Sequence, residues 1–103
     1  DRTGVAAMKM MFIVYSRAAD YDVISAIKES GIRGYTKMEK ACGEGVETEP
    51  KLHTHTWPGE NCVLFLALED HEVPEVTEIV RRLKGEHPRA GLKAFVMPME
   101  EII

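Results

Sequence analysis

Residues 62–85 read CVLFLALEDHEVPEVTEIVRRLKG. The first seven are apolar at every position, too few for a core helix and followed at once by a polar turn. They predict a strand over 62–68 that is buried on both faces. Asp70 and the Glu72, Pro74, Glu75 cluster then open a helix. Proline is tolerated in a first turn, and acidic side chains there complement the helix dipole. Val73, Val76, Ile79, Val80 and Leu83 form one apolar stripe. Arg81, Arg82 and Lys84 suit the C-terminal end of that helix, and Gly85 is expected to end it. A helix with a single apolar stripe can cover only one face of the strand before it.

Working outward, residues 9–16 (KMMFIVYS) repeat the doubly apolar strand, with β-branched and aromatic members. Residues 20–30 (DYDVISAIKES) follow with Val23, Ile24 and Ile27 at helical spacing, and Gly31 stands where a left-handed C-cap glycine is expected. Residues 33–41 (RGYTKMEKA) predict a second strand. Residues 92–98 (LKAFVMP) predict a last one, stopped by Pro98 ahead of the tail MEEII. The order is βαββαβ. Right-handed crossovers then give an α+β, ferredoxin-like fold, a four-stranded antiparallel sheet with both helices on one face. Met10, Phe12 and Val14 alternate with Met11, Ile13 and Tyr15; Val63, Phe65 and Ala67 alternate with Cys62, Leu64, Leu66 and Leu68. One of these sets has no helix to cover it. The expected cover is another copy of the chain, which makes the protein an obligate oligomer.

A chain of 103 residues has room for one domain, assigned to 8–103, with 1–7 read as a loose extension or a vector-derived remnant. A net charge of −4 disfavours nucleic acid and anionic membrane as partners. No apolar run approaches the ~20 residues that span a bilayer. The N-terminus lacks the basic and apolar segments of a signal peptide. Two cysteines are too few for a disulfide scaffold, so the expected compartment is the cytoplasm.

The stretch 29–45, ESGIRGYTKMEKACGEG, resembles the PII signalling family. In that family a glycine ends the first helix, a glycine, bulky residue and threonine open the second strand, and glycines lead into a long loop. Here these are Gly31, then Gly34-Tyr35-Thr36, then Gly43 and Gly45. The resemblance runs on through ALEDHEVPEVTEIVRRL and ends in KAFVMPMEE (93–101), so it covers most of the chain from Met8. The GYT step looks closest to the divergent branch with bicarbonate-transporter and carboxysome-associated members. The resemblance implies a homotrimer with an adenine nucleotide (AMP, ADP or ATP) in clefts between subunits. It also implies that loop 43–60 reports the ligand to a membrane transporter or an enzyme. Carried over by position, Gly34, Thr36, Gly91 and Lys93 would bind nucleotide; glycines let backbone amides approach phosphate. There are departures. The turn HPRAGLK has one glycine, the basic C-terminal positions have no counterpart, and residues 43–60 hold no tyrosine for uridylylation. These favour a nucleotide that needs less positive charge than ATP.

The loop GEGVETEPKLHTHTWPGE (43–60) is polar and long enough to be functional or disordered. Its His53 and His55, at i and i+2, share one face if the segment is extended, and could chelate a divalent metal. Cys42 and Cys62, on neighbouring strands at the loop base, are candidate further ligands, with Glu47 and Glu49. Imidazole with thiol suits zinc or copper. The competing readings are a solvated loop, and cysteines that are buried apolar thiols or a redox clip. No nucleophile elbow, Walker motif or zincin helix is present, and His71 and His87 are expected to face solvent, so the expectation is not an enzyme. The alternative function is a metal-binding protein of the CutA-like or metal-efflux-associated kind. An amino-acid-sensing ACT domain shares the element order, but usually joins its second and third strands tightly.

Overall fold

The computed structural model describes residues 8–43 and 60–103. The elements run β1 (Met8–Ser16), α1 (Asp20–Glu29), β2 (Thr36–Ala41), β3 (Asn61–Glu69), α2 (Val73–Glu86) and β4 (Lys93–Pro98), with short 3-10 turns entering each helix. The sheet is antiparallel throughout, in the order β2-β3-β1-β4. The predicted βαββαβ arrangement is thus observed.

Period-two alternation sorts the central strands. Met11, Ile13 and Tyr15 of β1 and Cys62, Leu64, Leu66 and Leu68 of β3 are buried on one face. Val23 and Ile27 of α1 and Val76, Val80 and Leu83 of α2 complete the core. Both helices therefore lie on one side.

Most boundaries shift by a residue or so, α2 proper begins at Val73 after the 3-10 turn Asp70–Glu72, and two differences have a plain cause. β2 begins at Thr36 rather than residue 33, because the chain must first cross from the helix layer to the sheet edge, with Ile32 still plugged into the core. α2 passes through Gly85 to Glu86, and the His87 amide donates to the Leu83 carbonyl at 2.8 Å. His87 precedes Pro88, which drives it out of helical geometry (φ −128°, ψ 66°), so the proline and not the glycine ends the helix. Gly31 does take the left-handed conformation, φ +95°, after α1.

Candidate functional site: the open sheet face and its edges

The face away from the helices is apolar in three aligned rows. One runs Thr36, Phe65, Phe12, Phe95; the next, Met38, Val63, Val14, Lys93; a shorter one, Ala67, Met10, Met97. Phe12 and Phe65 stack with centroids 4.5 Å apart. Met38 and Phe95, on the two edge strands, remain about half exposed at 48% and 49%. Apolar area this continuous, left open to water, is what an interaction surface looks like. Val96, on the helix side of β4, is also exposed, because neither helix reaches fully over that edge.

The nucleotide candidates divide between the two edges. Gly34 and Thr36 stand at the start of β2, and Gly91 and Lys93 at the start of β4. Thr36 and Lys93 both project from the open face, since Thr36 pairs with Phe65 and Lys93 with Val14. Two strands lie between them, which makes about 14 Å across the sheet. One subunit therefore does not bring them together.

Gly91 is held at φ +62° in the turn after α2. That turn is fastened by Ser16 N–H to Ala90 O at 2.8 Å and by Lys84 Nζ to Leu92 O at 2.8 Å. Beside it an open depression of about 450 Å³ is lined by Ser16, Ala18, Ala19 and residues 87–90. His87 Nε2 is buried there, 3.0 Å from Asp22 Oδ2 but not aligned for a hydrogen bond.

Behind the sheet, at the junction of β1, α1 and β2, lies a polar cluster that sequence reasoning missed. The Tyr15 hydroxyl donates to Asp20 Oδ1 at 2.7 Å, and Lys37 Nζ donates to Asp20 Oδ2 at 2.9 Å. Lys37 also stands 3.3 Å from Glu39. Burial pushes the Tyr15 phenol above its ordinary value, and its bond to Asp20 adds to this. Burial by itself would raise the Asp20 carboxyl. Hydrogen bonds from Lys37 and Tyr15, with the charges of Lys37 and Arg17, outweigh it and hold Asp20 below the ordinary value. The bond to Asp20 lifts the Lys37 ammonium, against the opposing effect of desolvation. The available signal was Tyr15 itself, a hydroxyl at a core position of an apolar strand, which needs a partner.

Of the metal candidates, Cys42 and Cys62 lie within the described residues, in different surroundings. Cys62 is 1% exposed within the core, and burial, then the Asp20 charge, raises its thiol; Cys42 is exposed, and both thiols are free. His53 and His55 lie outside the described residues. Among the described residues, no group of three or more His, Cys, Asp or Glu side chains is placed to hold a metal. Among them, too, no helix is long and apolar enough to cross a membrane.

The sequence model of the family described as Nitrogen regulatory protein P-II matches residues 8–103. The chain belongs to the P-II family. Solved structures agree on the P-II fold. CPII, a nitrogen regulatory PII-like protein from Thiomonas intermedia K12 bound to ADP, AMP and bicarbonate, is similar with a TM-score of 0.70 at 14% identity, over 93% of each chain. A candidate PII-like signalling protein from Thermus thermophilus gives a TM-score of 0.59 at 26% identity, over 86% of this chain and 83% of that one. A functionally unknown protein from Pediococcus pentosaceus gives 0.66 at 17%, over 95% and 97%. No curated protein matches this P-II chain in sequence. Within the P-II frame, the open face, the start of β2 and the turn before β4 are the parts of this chain in which Gly34, Thr36, Gly91 and Lys93 stand.

Proposed function

We propose that this chain is a homotrimeric P-II regulatory protein that binds an adenine nucleotide between subunits and signals it to a protein partner through loop 43–60. The observation that carries this reading is the division of Thr36 and Lys93 between opposite edges of one apolar face. At about 14 Å they cannot both reach one phosphate within a subunit. When the β2 edge of one subunit meets the β4 edge of the next, a cleft forms with threonine and glycine on one wall and Lys93 on the other. The same association removes Phe12, Phe65 and Phe95 from water, at about 25 cal/mol per Å² of apolar surface buried. The nucleotide class is supported by the T. intermedia neighbour, which carries ADP and AMP.

The test pairs light scattering with calorimetry. The expected mass is that of three subunits at micromolar concentration, with ADP or AMP binding in the micromolar to millimolar range. Lys93→Ala should weaken nucleotide binding by about tenfold, as loss of a charge-assisted contact does, and leave the mass unchanged. A monomeric wild type, or one that binds no adenine nucleotide at millimolar concentration, overturns the reading.

A further inference from the structure

His87 stands where α2 gives way to the turn before β4. Its amide closes the helix on Leu83, and its carbonyl accepts from the Ala90 amide at 3.0 Å, which begins the turn that leads to Gly91 and Lys93. The ring reaches toward α1, where the buried Nε2 meets Asp22 Oδ2 at 3.0 Å. An imidazole nitrogen that faces a carboxylate oxygen at this distance carries its proton, because a bare lone pair there is repelled. A neutral ring has one proton to place, whereas the imidazolium sets a full positive charge opposite Asp22.

The neighbouring charges are engaged elsewhere. Arg17 pairs with Glu60 at 2.8 Å, Asp20 is bonded to Tyr15 and Lys37, Arg82 pairs with Glu86 at 3.7 Å, and Lys84 donates to the Leu92 carbonyl. Of the residues that line the depression beside His87, Ser16, Ala18 and Ala19 carry no charge. Arg89, in the same turn, is the other ionic side chain on that lining. It stays cationic at every working pH, so its influence is constant as His87 titrates. Asp22 is thus the group on another element that feels the charge of His87, and the open depression gives a neutral ring room to leave the contact.

We propose that His87 and Asp22 form a proton-dependent tie between α1 and the turn 87–91, fastened when His87 is charged and slack when it is neutral. Protonation adds an attraction to α1 on top of the backbone bonds of the turn. Its loss leaves the turn held by Ser16 and Lys84 alone. Because Gly91 and Lys93 follow directly from this turn, the order of that end of the sheet varies with pH. The tie requires neither nucleotide nor assembly, so its failure leaves the functional reading above untouched.

Amide hydrogen exchange of Ala90 reports the turn, since its N–H is bonded to the His87 carbonyl. Protection, corrected for the intrinsic rate, is compared at about pH 5.5 and about pH 8, on either side of ordinary histidine ionisation. Asp22 is half exposed, so the pair has the strength of a surface ion pair. Ala90 should be about two- to fivefold less protected at the higher pH. Leu66, in the centre of β3, should show no such step. Asp22→Asn and His87→Gln should each abolish the step at Ala90. A wild type with equal protection at both pH values overturns the tie. So does a step that survives in Asp22→Asn, or one that Leu66 shares, which would mark global opening.

Discussion

Replacing Tyr15 by phenylalanine removes one oxygen from a residue with no exposed surface. The ring stays and so does the packing, so the change isolates the 2.7 Å bond to Asp20. A hydrogen bond to a charged partner contributes about 1.5–3 kcal/mol. Asp20 keeps its bond from Lys37, and its side chain is 25% exposed, so water can replace the lost donor. The loss should therefore sit at the low end, about 1.5 kcal/mol. For a domain of this size each kcal/mol moves the melting temperature by about 4–8 °C, which gives a fall of roughly 6–12 °C at neutral pH. The assay is a circular-dichroism melt at one fixed subunit concentration, because the proposed assembly would make the melting temperature concentration-dependent.

The pH dependence of the same variant tests the cause. Asp20 is lowered on folding, so its contribution is present above about pH 4 and is lost as pH falls through the folded value. Tyr15 and Lys37 are raised on folding, so their contributions are complete below about pH 10 and are lost as pH rises through the folded values. Phenylalanine cannot ionise. The stability gap between wild type and Tyr15→Phe should hold from pH 6 to 9 and narrow above about pH 10. An unchanged melt at pH 7, or a gap that stays constant up to pH 11, would refute the assignment.

Gly31→Ala meets no neighbouring atom within 4 Å, so its cost is the φ of +95° alone, about 1–2 kcal/mol read as a lower melting temperature. Ellman's reagent at pH 8 should titrate one thiol per native chain, Cys42, and reach the buried Cys62 only in denaturant; two fast thiols would contradict the core placement. Phe65→Asp puts a charge at the centre of the open face, beside Phe12, and should dissociate or unfold the protein. A variant that still scatters as three folded subunits would remove that face from the interface.

The element order was legible because each signal is local. Cys62–Leu68 is too short and too uniformly apolar to be anything but an interior strand, and the stripe from Val73 to Leu83 has the period of a helix. That both faces of β1 and β3 are apolar was also readable from alternation alone, and with it the open apolar face opposite the helices. The edges were less so. Gly85 looked like a stop for α2, but Pro88 decided the end through the conformation it imposes on His87. Cys42 falls just past the end of β2 and Cys62 lies on β3, so the first is exposed at the sheet edge while the second faces the core.

What only the tertiary structure decided is which distant residues meet. Tyr15, Asp20 and Lys37 are separated in sequence by a helix start and by a crossover, and they converge because α1 starts at the end of β1 and the chain returns through it to β2, on the far side of β3. No periodicity encodes that triangle. The separation of Thr36 from Lys93 likewise depends on strand order and register. Composition and hydrophobic period specify what each segment is, because helix and strand geometry repeat along the chain. Which edge a residue stands on follows from how the segments pair, and pairing is a long-range property of the folded sheet.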